Sequence, residues 1–362
     1  MKIGILITSA LKPNRTGVEE YSYQVVRHML ALPEAKEHVF FLYGAEAENF
    51  QFSISNFQHE NVKIFIRPYR LFWTQRVLPS LIRETKPDIF FSPGGTLPLR
   101  WNALGVPAVV MVHGVEWERY PSGYSWPTRA HFRFVTQHVL NNVRGIITPS
   151  QHTKEGLAQF FGYSKNVAVI PHGVFTLGRS GRPMNGGGPD RWNILFLGRK
   201  DKRKNIAGMY EAFRMLAAEN LFFQFFLVGP QGNDPFRPSF INECKARLRN
   251  PVGYVSEEQK EEYLRNADIF LFPSFDEGFG MPILEAQARG IPVVCSEFLR
   301  EVAGEGALYC DPQNPQSIAD ALAKLMKDEG LYRRISVAAL ANASSFAWQK
   351  SALKTLDFLF NI

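Results

Sequence analysis

PSFDEGFGMPILEAQARGIPVV, Pro273 to Val294, is the stretch that decides the fold of this chain. The apolar run Ile269, Phe270, Leu271, Phe272 just before it reads as a buried strand ended by Pro273. Pro282 suits the first turn of a helix that follows. Between them, Gly278 and Gly280 let the backbone turn tightly where side chains would obstruct a ligand. Two carboxylates, Glu277 and Glu285, stand eight positions apart around that turn. A helix starting here aims free backbone N–H groups, from about Gly280 to Ile283, into the mouth of the turn, where the helix dipole favours an anion such as a diphosphate. Carboxylates repel phosphate but accept hydrogen bonds from sugar hydroxyls, so the combination suits a nucleotide joined to a sugar better than a free phosphate. The plain alternative is a turn acid at Glu277 and a solvated helix residue at Glu285. Strand, glycine turn and proline-led helix together outweigh it.

On either side of this stretch, short β-rich apolar runs alternate with amphipathic helical segments, the pattern of α/β domains with parallel sheets. In the first half the expected strands are Ile3 to Ile7, Val39 to Leu42, Val62 to Ile66, Ile89 to Phe91, Ala108 to Val112, Gly145 to Thr148 and Val167 to Ile170. The alternation pauses at TLGRSGRPMNGGGPD, Thr176 to Asp190, which is rich in Gly, Pro and Arg and reads as an interdomain linker. A second α/β run begins with WNILFLG. It continues with a helix near Ile206 to Ala218, a strand at Phe225 to Val228, a helix near Glu257 to Arg265 and the strand and helix already described. Open α/β sheets bind ligands at the carboxyl ends of their strands, so two such domains facing each other create one cleft.

At 362 residues the chain exceeds one typical core and fits two domains. The opening MKIGILITSAL is too short for a membrane span and reads as a first core strand rather than a signal peptide, and no segment has eighteen uninterrupted apolar residues. Cys244, Cys295 and Cys310 have no CxxC spacing, which argues against a disulfide framework or zinc site and for a reducing, cytoplasmic compartment. The net charge of +7 lies wholly in residues 1 to 190, which hold 20 Lys and Arg against 13 Asp and Glu. Such a half-protein suits an anionic membrane surface or an acidic substrate, and +7 over 362 residues equally reads as ordinary solubility charge; no nucleic-acid motif is present.

The pattern E-x7-E, here EGFGMPILE, resembles the signature of GT-B glycosyltransferases of family 4, retaining enzymes that use nucleotide-sugar donors. The resemblance continues through TPSQHTKEGL (Thr148 to Leu157), VIPHGV (Val169 to Val174), LGRKDKRKN (Leu197 to Asn205) and GYVSEEQKEEYLRNADIFLFPS (Gly253 to Ser274). It covers nearly the whole chain in order, from TGVEEYSYQ to a tryptophan-bearing final helix. It implies two Rossmann-like, doubly wound parallel-sheet domains facing a central cleft. The expected division is an acceptor-side domain at 1–175, a linker at 176–190, a nucleotide-sugar-binding domain at 191–342 and a helix at 343–362 that crosses back to the first domain.

Sugar transfer requires the diphosphate to leave carrying extra negative charge, so positive groups on it stabilise the transition state. Arg199 and Lys204 match the Arg and Lys with which the family grips the donor diphosphate, although Lys200, Lys202 and Arg203 crowd the same loop. By the same resemblance Glu277 lies near the donor sugar and diphosphate, Glu285 accepts from the ribose hydroxyls, and the turn amides of Phe279, Gly280 and Met281 contact phosphate or sugar oxygens. Tyr254 and its neighbours line the base pocket through backbone groups. His113, expected to point out of the sheet after its strand, matches a histidine that contacts the donor sugar; Gly114 follows it where many relatives have an acid, which leaves Glu116 without a clear counterpart. Gly17 matches the family's glycine loop near the acceptor and phosphates, and as a single glycine it equally reads as a plain turn.

No D-x-D motif and no His/Asp/Glu cluster at ligand spacing is present, so metal-independent transfer without a cofactor is expected. The missing G-x-G-x-x-G and P-loop patterns remove a dehydrogenase or ATPase. The expected reaction moves a hexose, mannose first, from GDP-mannose or, second, a UDP-hexose to a cell-surface glycan or glycolipid. Two rivals stand beside it: an enzyme with a small soluble acceptor, of the sucrose or trehalose synthase kind, and a catalytically inactive sugar-nucleotide or glycan-binding protein. RPYRLFWTQRVLPSLIRETK, Arg67 to Lys86, interleaves Arg67, Arg70, Arg76 and Arg83 with aromatic residues, a mixture that fits peripheral docking on the inner face of the cytoplasmic membrane. The competing reading makes Leu71, Trp73, Val77, Leu78 and Leu81 the buried face of a helix.

Overall fold

The computed structural model describes residues 1–46, 54–69, 71–176, 192–219, 221–234 and 247–362, with the backbone alone for 247–252. Arg70, Cys244 and positions 177–190 of the expected linker lie outside the described residues. Besides single helical turns, the first half carries β1 (Lys2–Leu6), α1 (Gly17–Leu30), β2 (Val39–Ala45), β3 (Val62–Arg67), α2 (Trp73–Thr85), β4 (Ile89–Ser92), β5 (Ala108–Met111), α3 (Trp126–Asn142), β6 (Gly145–Thr148), α4 (Gln151–Phe161) and β7 (Val167–Val169). The second half carries β8 (Trp192–Leu197), α5 (Ile206–Ala218), β9 (Phe223–Val228), β10 (Arg247–Val252), α6 (Glu257–Asn266), β11 (Ile269–Phe272), α7 (Met281–Gln287), β12 (Val293–Ser296), β13 (Ala307–Cys310), α8 (Pro315–Lys327), α9 (Glu329–Ser344) and α10 (Trp348–Phe360). All seven strands expected in the first half are present. β5 stops one residue early, at Met111, although the Val112 N–H still donates to the Ile147 carbonyl at 2.9 Å.

The chain divides into two compact units, one of residues 1–118, 125–173 and 347–362, the other of 119–124 and 174–346. The second unit thus runs to Phe346 and takes in six residues from the first half.

In the first unit seven parallel strands run in the order β3-β2-β1-β4-β5-β6-β7. Strands such as β4 and β5 are buried at every residue, as parallel strands covered on both faces must be. The core gathers Phe41, Tyr43, Phe90, Trp101 and Ile146. On α2 the expected buried face is only partly right. Trp73, Leu78 and Leu81 are buried, but Leu71 is 77% exposed, because it precedes the helix on a turn. The last helix, α10, packs against α1 in this same unit.

The second unit holds six parallel strands in the order β10-β9-β8-β11-β12-β13. Its core runs from Phe196 and Phe225 through Phe270 and Val294 to Leu322. Both sheets are doubly wound. The order reverses between β1 and β4 in one and between β8 and β11 in the other, where Ile269 and Phe270 pair with Ile194 and Leu195. Ligands of such sheets bind beyond the carboxyl ends of the strands at that switch point. Among the described residues no helix is long and apolar enough to cross a membrane.

Candidate functional site

The two loops that leave β8 and β11 at the switch point of the second unit contain Arg199 to Lys204 and Ser274 to Gly280. Asn205 ties them together. It adopts the left-handed conformation (φ 60°), its side-chain oxygen accepts the Gly208 N–H at the start of α5, and its amide donates to the carbonyls of Pro273 (3.2 Å) and Pro312 (2.7 Å). Asparagine tolerates this backbone better than other non-glycine residues. Arg203 makes a second tie, accepting the Phe275 N–H on its carbonyl (2.7 Å) and donating from its guanidinium to the Asp276 carbonyl (3.1 Å).

Glu277 sits between these loops, buried. Arg203 approaches its Oε1 at 2.5 Å, and Lys204 is ion-paired with the same oxygen. Lys204 also lies 4.4 Å above the Phe272 ring, so the ammonium has an aromatic floor as well as a carboxylate. Burial by itself pushes the Glu277 carboxyl up; Arg203 and then Lys204 outweigh it and hold the group at about 2. Arg199 is placed differently. Its side chain is 64% exposed and donates through Nε to Asp201 at 2.9 Å, while Asp201 also accepts from the Asn233 N–H.

Beyond Glu277 the chain turns through Gly280 at φ +92°, a backbone that a side chain would strain, and enters the seven-residue α7. Phe279 is turned inward against Leu284 and Val302, with the ring of Phe346 edge-on at 6.2 Å, so it faces the loop region with its backbone alone. Glu285, on α7, meets Lys260 of α6 at 3.0 Å, and Lys260 also pairs with Glu257. Burial alone would lower the Lys260 ammonium, but Glu285 and Glu257 raise it above the ordinary lysine range. Tyr254, in the turn before α6, is more than half exposed.

His113 belongs to the first unit. Instead of simply projecting from its strand, the ring turns back so that Nε2 donates to the Pro93 carbonyl at 2.8 Å, because a carbonyl can only accept. Its other neighbours are Tyr21 of α1, edge-on at 5.2 Å, and His172 at 5.8 Å. His172 in turn lies 4.5 Å from Tyr21 and is stacked on Trp348 of α10 at 6.4 Å. Burial is the main influence on His113 and pushes it down to about 4, against weaker upward pulls from the Pro93 bond and Glu19. His172 is held well below the usual histidine range, first by burial and then by His113. Gly17 is the first residue of α1, and open space lies where its side chain would be; the helix start is fixed by Thr16, whose N–H donates to Glu19 at 3.2 Å. The Glu116 carboxylate folds back over Gly114, where an added Cβ would meet it at 2.6 Å.

The structure therefore brings Lys204 and Glu277 into contact, sets Arg199 and Glu285 in ion pairs of their own, and keeps His113 and Gly17 in the other unit. It adds residues that sequence reasoning did not single out: Arg203, Lys260, Tyr21 and His172.

The model of the family described as Glycosyltransferase Family 4 matches residues 15–176, and that described as Glycosyl transferases group 1 matches residues 183–341. The chain belongs to glycosyltransferase family 4. Along its whole length it is similar to the O-antigen chain mannosyltransferase B of Escherichia coli, 28% identical over 99% of both chains. In fold it is similar to the Anabaena HepE structure in complex with UDP and glucose (TM-score 0.68, 17% identity, 100% of both chains). It is likewise similar to WaaG, a glycosyltransferase involved in lipopolysaccharide biosynthesis (TM-score 0.70, 13% identity, 99% of both chains). This family-4 glycosyltransferase accordingly has the GT-B type of fold, two parallel-sheet α/β units.

Proposed function

We propose that this glycosyltransferase moves a hexose, mannose first, from a nucleoside-diphosphate sugar to a hydroxyl of a cell-surface glycan or glycolipid, with retention of configuration and without a metal ion. The observation that carries the reading is the meeting of Arg203, Lys204 and Glu277 at the switch point of the second sheet. Two cations share one carboxylate there, in a buried place. A departing diphosphate gains negative charge as the sugar bond breaks, and preorganised cations stabilise that charge most where water is scarce. The choice of mannose is supported by the full-length likeness to the O-antigen chain mannosyltransferase B.

In this reading the bond from the anomeric carbon to the leaving phosphate oxygen breaks while the acceptor oxygen bonds on the same face. The acceptor proton passes to that phosphate oxygen. Glu277 stays ionised at any pH well above 2 and is committed to Arg203 and Lys204, so it orients the cations and accepts hydrogen bonds and does not serve as a proton donor. His113 is neutral near pH 7 with its Nε2 proton given to Pro93, which leaves Nδ1 as an acceptor for a sugar hydroxyl. Arg199 is assigned to the diphosphate, Glu285 to the ribose hydroxyls, the amides of Phe279, Gly280 and Met281 to phosphate or sugar oxygens, Tyr254 to the base and Gly17 to the donor phosphates where the acceptor meets them. Among the described residues no group of three His, Cys, Asp or Glu side chains is arranged to hold a metal ion.

The test is a comparison of GDP and UDP. GDP at about 100 times its dissociation constant is expected to add roughly 2.7 kcal/mol of stability, read as a higher unfolding midpoint, with little change from UDP. GDP release from GDP-mannose is expected to persist in EDTA, with the product retaining the donor's anomeric configuration. A shift with UDP alone moves the donor to a UDP-hexose. A strict requirement for Mg²⁺ or Mn²⁺ overturns metal-free transfer, and no release from either donor with any acceptor leaves the inactive binding protein.

A further inference from the structure

We propose that residues 119–124, the six first-half residues that belong to the second unit, are a strap fastening both loops of the candidate site, and that Asn233 and Tyr120 are positioning residues for the transfer. The role in transfer rests on the donor reading above; the fastening does not. Glu118, just before the strap, is paired with Arg133 of α3 at 2.8 Å, and Ser125, just after it, caps the same helix. Both ends are thus held on one element, which limits the freedom that docking must remove. Inside the strap the Gly123 N–H donates to the Tyr120 carbonyl (3.1 Å) and the Tyr124 N–H to that of Pro121 (3.2 Å), a tight turn that leaves the Gly123 carbonyl to Asn233.

Asn233 ties this turn to the loop after β8. Its side-chain amide donates to the Gly123 carbonyl at 2.6 Å, its side-chain oxygen accepts the Lys202 N–H at 3.0 Å, and its own N–H donates to Asp201 at 3.3 Å. Asp201 is the acid that holds the Nε of Arg199, so one asparagine stands between the strap and the guanidinium assigned to the diphosphate. A Cβ on Gly232 would collide with Asp201 and with the Lys200 carbonyl, so the loop after β9 brings Asn233 this close only because its neighbour is glycine.

Tyr120 ties the strap to the loop after β11. Its ring is stacked on Phe275 at 5.0 Å, with 13° between the planes. Phe275 donates its N–H to the Arg203 carbonyl and stands two residues before Glu277, so this contact bears on the segment in which Arg203, Lys204 and Glu277 meet. The Asn233 amide and the Tyr120 ring both face the protein's own loops, which makes them supports rather than groups that meet the substrate. Support of this kind matters for rate, because a misplacement of about 1 Å in a group that must meet developing charge can cost about a hundredfold.

Hydrogen exchange of the protein without ligand tests the fastening. Single-turnover release of GDP from GDP-mannose, or of UDP from UDP-glucose where that donor is the one turned over, tests the positioning. Asn233→Ala is expected to raise exchange in peptides covering 119–124 and 199–205, and Tyr120→Ala in those covering 119–124 and 274–280, at near wild-type unfolding midpoints because neither residue is buried. Tyr120→Phe, which keeps the ring, should match the wild type in exchange and rate. Each alanine variant should slow release about tenfold. In an Arg199→Ala background Asn233→Ala should cost less than about twofold more, because the asparagine acts through that arginine. Unchanged exchange in the two loops overturns the strap. Raised exchange with wild-type rates overturns the positioning role, as do losses that multiply in the double variant. A wild-type rate in Arg199→Ala is a separate result: it removes the donor assignment of that loop and leaves the exchange measurements to decide the strap.

Discussion

Glu277→Ala is expected to destabilise the protein by about 3–5 kcal/mol at neutral pH and to lower turnover by at least about a hundredfold. The stability loss follows from what remains behind. Arg203 and Lys204 share Oε1 of this carboxylate in a buried place, and removing the acid leaves both cations without it. The pH dependence makes the claim specific. A carboxyl held at about 2 instead of its ordinary 4.5 contributes stability that is fully present above about 4.5 and is lost as pH falls toward 2. Denaturant titrations of wild type and Glu277→Ala should therefore run apart at neutral pH and converge at the acid end. Parallel curves over the whole range would show that the ion pairs do not hold this loop. Glu277→Gln, which keeps the shape and one acceptor, should recover part of the stability but not the turnover.

The order of α and β elements was legible because parallel strands covered on both faces read as short unbroken apolar runs. Ile269–Phe272 and Gly145–Thr148 match the expected limits, and β5 differs by one residue. β10, β12 and β13 were not seen. The four residues of β13, Ala307–Cys310, are half partly exposed, so nothing in the sequence separates them from a loop. At the candidate site, Glu277, Glu285 and Lys204 were visible through motif spacing. Arg203 was not, because which of five crowded cations turn inward depends on the helical turn at Lys202–Lys204 and on the left-handed backbone of Asn205. Lys260 became relevant only once α6 was seen beside α7, since no local pattern announces a partner 25 positions from Glu285. His172 was already inside the motif VIPHGV. Its closeness to His113 depends on the pairing of β5, β6 and β7, and a lone histidine before a glycine carries no sign of that.

Lys204→Ala and Arg199→Ala are expected to slow transfer by similar amounts, about ten- to a thousandfold each, yet only the first is expected to weaken the fold. The lysine is buried, pairs with Glu277 and covers the Phe272 ring, so its removal leaves the buried carboxylate with Arg203 alone and should lower the unfolding midpoint. The arginine is 64% exposed and held by Asp201 alone among the ion pairs described, so its removal should change stability by no more than about 0.5 kcal/mol. A thermal midpoint and a single-turnover rate on the same two preparations separate the roles. Loss of rate without loss of stability in Arg199→Ala marks a group that meets the charge arising in the reaction, because it has little else to support. Loss of both in Lys204→Ala leaves its catalytic share mixed with its structural one, and Lys204→Arg, which keeps the charge, divides them: recovered stability with a rate still depressed assigns the ammonium's position to the diphosphate. Near wild-type rates with both residues replaced would end the assignment of this loop to the donor.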